Sequence, residues 1–321
     1  MKYFAIYCLF CWIVLDACNN ATGGETGSTT TSKGRDTVAC LPGNSKLDIQ
    51  KLEEVTGMKG VEKNGEYKIT VPQNDLGVVA DGFKIIPPMG LSSWAAFTSC
   101  RDSVMVMGDI ILTETDLAPV QQEVVKQGLA ITAIHNHFVR NKPNILYMHI
   151  DGKGDIVSLS RSIKAVFDKV KETRKGDPKA SKADSVANSL NILQLDSLIG
   201  YKGEMSKGVY KYTIGRPDIV LREHGIPVST FMGFNTWASW QGTMDRAAVA
   251  GDFTMLEDEV APVIKKLVEN NIEVVAVHNH MVHEEPRIFF LHYWGVGKAI
   301  NLARGLRAAL NETGKKTMAH G

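Results

Sequence analysis

The sequence is poor in cysteine, has no excess of charge of either sign and contains no apolar run long enough to span a bilayer as a helix. Five cysteines in 321 residues exclude a disulfide scaffold, and outside the first eighteen residues no two are spaced as in a zinc ribbon or dithiol redox motif. Lys and Arg number 36 against 35 Asp and Glu, a net charge of +1 that argues against a phosphate-backbone binder, so no nucleic-acid partner is expected. What remains is ordinary globular composition, 44% hydrophobic and 7% aromatic, in a chain long enough for one large domain or two average ones.

The apolar residues that do run together stand at the start. Lys2 precedes a 13-residue run, Tyr3 to Leu15, short against the ~20 residues a spanning helix needs. It ends in Leu15-Asp16-Ala17-Cys18, the form of a bacterial lipobox. Residues 1–18 are therefore read as a lipoprotein signal peptide and Cys18 as the lipidation site. A lipid anchor in the membrane of the bacterial cell envelope is expected. Residues 19–45, rich in Gly, Ser and Thr, lack apolar periodicity and read as a flexible tether. Cys40 and Cys100 are the other cysteines beyond Cys18; they are read as free thiols, with pairing in an oxidising envelope as the alternative.

Past the tether the sequence matches itself at a constant offset of 143. Ala133-Ile134-His135-Asn136-His137 meets Ala276-Val277-His278-Asn279-His280, Trp94-Ala95 meets Trp237-Ala238, and Gly108-Asp109 meets Gly251-Asp252. Pro143, His149 and Gly152 meet Pro286, His292 and Gly295. A unit of this length is a duplicated domain-sized fold rather than a solenoid repeat. The reading places a first unit at 46–170, a charged linker at 171–188, a second unit at 189–312 and a tail at 313–321.

Within a unit the spacing of apolar residues predicts a helix over Leu47–Thr56 and strands over Glu66–Val71 and Met105–Leu112. A helix over Leu117–Gln127, with Pro119 in its first turn, is followed by strands over Leu129–Val139 and Ile145–Ile150 and a helix over Ile156–Val170. This is an α+β fold of two tandem homologous units, each a mostly antiparallel sheet covered by helices. The two sheets are expected either to pack together or to pair edge to edge.

The residues with chemistry are His135, His137 and His149, repeated as His278, His280 and His292. Residues two apart on a strand share a face. A hairpin centred on Pro143, or on Pro286, would set His149 opposite His137, with His135 a diagonal neighbour at ~7–8 Å. Three such imidazoles can converge on a divalent metal, zinc being the first expectation. The competing reading makes them core residues, since Leu129, Ile131 and Ala133 would share their face. Asp109 and Asp252 are candidates to orient an imidazole. His283-Glu284-Glu285 occurs before the proline of the second unit only, so Glu284, Glu285 and Asp252 are the candidate catalytic carboxylates there. Trp94, Trp237 and Trp240, with Phe97, are candidates to line a pocket.

The chain resembles the LppY/LpqO family of bacterial lipoproteins. The likeness rests on Leu52-Glu53-Glu54-Val55-Thr56-Gly57, Met89-Gly90-Leu91-Ser92-Ser93-Trp94-Ala95-Ala96-Phe97, Val106-Met107-Gly108-Asp109 and both His-Asn-His…Pro…His blocks. It implies an exported lipoprotein of duplicated units and no particular activity. It also implies an acidic residue just before the hairpin proline, a place that Glu285 fills and Lys142 does not. The expectation is a metal-binding envelope lipoprotein, as a metal-assisted hydrolase or as a non-catalytic binder of a small molecule, envelope ligand or metal.

Overall fold

The computed structural model describes residues 47–101, 103–174 and 185–315. The leader, Cys18, the tether, Cys40, residues 175–184 of the linker and residues 316–321 of the tail lie outside the described residues. No helix among the described residues is long and apolar enough to cross a membrane.

The first repeat runs α1 (Ile49–Thr56), β1 (Val61–Lys63), β2 (Glu66–Pro72), β3 (Val79–Ala80), β4 (Phe83–Lys84), a 3-10 turn at Pro87–Met89, β5 (Ser92–Cys100), β6 (Ser103–Thr113), α2 (Glu114–Lys126), β7 (Ala130–His135), β8 (Asn141–Lys142), β9 (Ile145–Gly154) and α3 (Ile156–Thr173). The second opens with β10 (Asn188–Ser189) and α4 (Ile192–Ile199), then β11 (Glu204–Ser206), β12 (Val209–Ile214), β13 (Arg222–Glu223), β14 (Ile226–Pro227), β15 (Thr236–Thr243) and β16 (Ala247–Met255). It closes with α5 (Glu257–Glu269), β17 (Glu273–His278), β18 (Glu284–Glu285), β19 (Phe289–Gly297) and α6 (Ala299–Leu310). The large sheets have the same order, β1-β2-β5-β6-β9-β7 and β11-β12-β15-β16-β19-β17, and small sheets β4-β3-β8 and β14-β13-β18 flank them. The large-sheet pairings are antiparallel apart from the β10–β15 bridge.

Alternation along β6 shows how the layers stack. Val106, Ile110 and Leu112 point to the helix side, packing with Leu159, Ile163 and Val166 of α3. Each such buried aliphatic side chain contributes about 1.5–3 kcal/mol. Met105, Met107 and Ile111 point the other way and pack against the second repeat. The sheets therefore pack together through their helix-free faces, giving a helix–sheet–sheet–helix order. The arms cross over: Val78, Ile85 and Ile86 of the first repeat pack on Ala248, Ala250 and Trp294 of the second. Leu221, Ile226 and Val228 of the second repeat pack on Ala96, Met105 and Met107 of the first. Each repeat thus completes the other's core.

Three local expectations change. Helix α2 starts at Glu114, earlier than expected, because Thr113 and Asp116 form a capping box, with Thr113 N donating to Asp116 Oδ2 at 2.8 Å; Pro119 is thereby inside the helix. The strand expected over Leu129–Val139 ends at His135. Ser92–Cys100 forms a strand the periodicity did not single out, since it is buried on both faces. Cys100 is disulfide-bonded rather than free, and every other cysteine precedes residue 47, so its partner lies outside the described residues. A sequence separation says nothing of proximity in space, so spacing could not decide that pairing.

Candidate metal centre between the repeats

Both repeats build the same row of side chains across their large sheets. Register places Thr70 opposite Trp94, Trp94 opposite Asp109, and Asp109 opposite His149, with Ala133 closing the row. The second row is Thr213, Trp237, Asp252, His292 and Ala276. His149 therefore faces Ala133, not His137 as a hairpin centred on Pro143 requires. The connection is no tight turn: residues 136–144 include β8, which leaves to pair with β3.

A β-bulge decides which face the histidines take. Register slips between Ile131 and Ala133, and between Val274 and Ala276. Ile131 packs into the helix-side core, while His135, beyond the bulge, points to the other repeat. Leu129 and Ile131 therefore do not share the histidine face, whereas Ala133 does. Bulges commonly re-aim side chains in this way.

The six histidines meet in one cluster instead of two separate triads. The rings of His135 and His278 are 3.8 Å apart, His137 and His292 3.7 Å, and His149 and His280 4.0 Å, a pattern that repeats when the two halves are exchanged. Three overlapping sets offer ligand atoms within 4.8 Å of one another: His135, His278 and His292; His149, His278 and His280; Asp109, His135 and His149. Two of the three draw on both repeats.

Electrostatics keeps these groups uncharged. His149 Nδ1 lies 3.3 Å from the Gly108 carbonyl and His292 Nδ1 3.1 Å from that of Gly251. Donation from Nδ1–H fixes the tautomer and turns an Nε2 lone pair into the cluster. Burial lowers the pKa of both to about 3. Burial, then repulsion by neighbouring imidazoles, holds His135, His137, His278 and His280 well below the ordinary histidine range. All six are thus neutral near pH 7, the state a metal ligand needs. Nine of their ring nitrogens are buried with no hydrogen-bond partner. Native interiors leave only a few polar atoms per hundred residues so, and here nine gather in one cluster.

Asp109 and Asp252 lie mid-strand and buried, not at exposed strand ends, 3.6 Å from His137 Nε2 and 3.4 Å from His280 Nε2 respectively. Burial raises the Asp109 carboxyl to about 8 and pushes Asp252 well above its ordinary value; Leu291 N donates to Asp252 Oδ1 at 2.9 Å. Above the cluster a cavity of about 310 Å³ is lined by Trp94, Trp237, Lys68 and Lys211. The lysine ammoniums lie over the indoles, Lys68 Nζ 4.3 Å from Trp94 and Lys211 Nζ 4.4 Å from Trp237. Burial lowers both lysines to about 8.

Other candidates are elsewhere. Trp240 is buried in the helix-side core of the second repeat, since it stands three residues from Trp237 and so points to the opposite face; Phe97 lies in the helix-side core of the first. Neither Glu284 nor Glu285 lines the cavity or joins a histidine set. Strand β18 carries them away to pair with β13: Glu285 is exposed and Glu284 accepts from Arg287 at 2.9 Å. The assignment of these two as catalytic groups at the histidines is corrected accordingly. Lys68 and Lys211 were missed, although they also stand 143 residues apart and the repeat itself offered the signal.

No curated protein matches the chain. Among solved structures, a trimeric bacterial microcompartment shell protein, PduB, is 9% identical over 79% of this chain and 91% of its own, at a TM-score of 0.19. EtuB from Clostridium kluyveri is 6% identical over 79% and 90%, also at 0.19. Likenesses so slight bear on neither fold nor function. A family model matches twice, at residues 50–169 and 193–312, the same offset of 143 that relates the histidines. The chain belongs to the family described as Domain of Unknown Function (DUF1259), in two copies.

Proposed function

We propose that this protein is an exported lipoprotein of the LppY/LpqO kind that holds divalent metal in one centre shared by its two repeats, and acts there on a small anionic molecule as a metal-assisted hydrolase. The observation that carries the reading is the set of nine buried ring nitrogens without a hydrogen bond on six neutral histidines. Three of the nine, His137 Nε2, His280 Nε2 and His292 Nε2, come within 4 Å of a carboxylate. An imidazole-rich donor set suits zinc. Zinc held there would supply Lewis-acid polarisation of a ligand oxygen. The rest falls to the chain itself. The Gly108 and Gly251 carbonyls orient two imidazoles, Asp109 and Asp252, kept protonated by burial, stand where they can orient His137 and His280 by donating to them, and Lys68 and Lys211 attract the anion. The indoles beneath the lysines line the same cavity. Export and the Cys18 anchor rest on the leader sequence and agree with a disulfide at Cys100.

Overlap of three ligand sets in one cluster favours a second reading, metal buffering without turnover. Metal analysis of untagged protein, with melting curves at pH 7.5, tests the common premise. EDTA should lower the melting temperature and Zn²⁺ restore it. Protein that lacks metal, takes up none and melts unchanged with Zn²⁺ would refute the centre. Loss of the Zn²⁺-dependent affinity for inorganic phosphate in Lys68→Met/Lys211→Met would support the anion site; undiminished affinity would remove it. Cys18→Ser should leave the membrane fraction; a variant that stays there would end the lipoprotein reading.

A further inference from the structure

A second polar cluster lies away from the histidine centre, where the second repeat's β13–β14 arm meets β9 of the first. Asp151 Oδ2 is 2.7 Å from His224 Nε2, and Glu223 Oε1 is 3.6 Å from the same nitrogen. Ligand atoms of Asp151, Glu223 and His224 all lie within 4.8 Å of one another. His283 lends a ring 4.7 Å from that of His224 and donates its backbone N–H to Glu223. Glu284, paired with Glu223 across β13 and β18, adds a third carboxylate.

These acids are buried and incompletely satisfied. Asp151 is 2% exposed, Glu223 0% and Glu284 8%, yet Asp151 Oδ1, Glu223 Oε2 and Glu284 Oε2 have no hydrogen-bond partner. Leaving one buried polar atom unpaired costs about 1–3 kcal/mol, and more when it is charged.

The other half of the molecule shows how this place is ordinarily filled. The repeat offset of 143 maps Glu223, His224, His283, Glu284 and Asp151 onto Ala80, Asp81, Arg140, Asn141 and Trp294. There a guanidinium occupies the centre: Arg140 donates to both oxygens of Asp81, at 2.9 and 2.8 Å, and to Glu273 at 2.8 Å. Trp294 Nε1 donates to Asp81 at 2.9 Å. One side therefore has a built-in cation between two carboxylates, Asp81 and Glu273. The other has exchanged that arginine for His283, and the carboxylates Asp81 and Glu273 for His224 and Ala130. It has gained three carboxylates, Asp151, Glu223 and Glu284, in place of Trp294, Ala80 and Asn141, of which Glu284 is bonded by Arg287 through Oε1.

We infer that Asp151, Glu223 and His224, with Glu284 beside them, form a second site that holds a divalent transition cation where its counterpart holds the Arg140 guanidinium. Mixed carboxylate and imidazole donors suit Mn²⁺ or Zn²⁺ better than Mg²⁺ or Ca²⁺. The site is independent of the histidine centre, with which it shares no residue.

The test is Mn²⁺ titration of the untagged full chain at pH 7.5, following the EPR signal of free Mn²⁺, in wild type and three variants. His283→Arg should replace the ion with a guanidinium, losing one bound equivalent while melting no lower than metal-free wild type. Glu223→Gln should lose the same equivalent, and His278→Ala should retain it. Equal Mn²⁺ uptake by wild type and His283→Arg, or no uptake by wild type, would overturn the proposal. So would loss of that equivalent in His278→Ala but not in His283→Arg, which would place the ion among the central histidines. Should Glu223→Gln fail to fold, His283→Arg decides alone.

Discussion

The two repeats agree where they meet and differ where each reaches around the other. At the centre every contributing residue has its counterpart 143 positions away: three histidines, an aspartate, a tryptophan and a lysine from each side. At the arms one repeat places Arg140 between Asp81 and Glu273, whereas the other gathers Asp151, Glu223 and His224. A central side chain packs against a copy of its own row, so a change in one unit alone leaves a mismatched partner across the interface. An arm packs on the other repeat's sheet and not on its own copy, at equivalent positions that carry different residues, Ala248 and Ala250 in one direction and Met105 and Met107 in the other.

A third place holds the same interaction by different means. The acid that caps the central helix is Asp116 in one repeat and Glu259 in the other. Arg174, at the end of α3, pairs with Asp116 at 2.8 Å, while Arg216, just after β12, pairs with Glu259 at 2.7 Å. The sequence counterpart of Arg216 is Gln73, which itself accepts from Arg174. The guanidinium is kept in space though not in sequence.

That equivalence is the largest effect to test. Arg174→Ala and Arg216→Ala should each cost about 3–5 kcal/mol in urea unfolding, because each leaves a buried carboxylate unpaired. Burial raises the Asp116 pKa, but hydrogen bonds from Thr173, the Thr113 N–H and Arg174, with the arginine's charge, outweigh it and hold the carboxyl below its ordinary range. Its contribution is therefore present above the unfolded value of ~3.9 and lost as pH falls through the folded one. The gap between Arg174→Ala and wild type should narrow as pH falls below ~3.9 and through the lower folded value; a gap that stays constant to the acid end of the folded range would assign the loss to packing.

The proposed sharing of a metal centre predicts the next effect. Metal at a hundredfold excess over its dissociation constant stabilises a folded protein by about 2.7 kcal/mol. His135→Ala and His278→Ala, each in two of the ligand sets, should forfeit equal shares of the zinc-dependent rise in melting temperature, and His280→Ala, in one set, should forfeit more than His137→Ala, in none. The acidic pair at Glu284-Glu285 suggested by itself that the second unit would dominate. A loss confined to the second-repeat variants would restore that view and break the shared centre.

Smaller differences separate the repeats where the backbone is crowded. A Cβ at Gly251 would stand 2.1 Å from the Tyr293 hydroxyl and 2.2 Å from the Trp237 carbonyl, whereas one at Gly108 would meet the Trp94 carbonyl at 2.8 Å. Overpacking typically costs about 1–3 kcal/mol. Gly251→Ala should fall at the upper end and Gly108→Ala at the lower, read from denaturant midpoints; the reverse order would contradict the register of the two rows.

The smallest effect concerns the paired tyrosines under the first helix of each unit. Tyr67 bonds Glu53 and Gly60, and Tyr210 bonds Asp196 and Gly203. Tyr67→Phe and Tyr210→Phe should each lose about 1 kcal/mol, comparably, in the same assay. A difference above about 1 kcal/mol would show that the two tyrosines do not carry equivalent loads.

The sequence by itself determined the duplication, the α+β character and the identity of the six histidines, because repeats and apolar periodicity are local patterns along the chain. It also marked Asp109, Asp252, Trp94 and Trp237 through their shared offset. Tertiary structure decided the rest. Two bulges chose the face on which the histidines stand, a choice periodicity cannot register because one extra residue reverses the alternation beyond it. Face-to-face packing merged two expected triads into one cluster. The departure of β18 to a separate small sheet removed Glu284 and Glu285 from that cluster and set Glu284 beside Glu223. Asp151, Glu223 and His224 share no motif and no repeat partner of like chemistry, so only the fold, joining one unit's sheet to the other's arm, could bring them together.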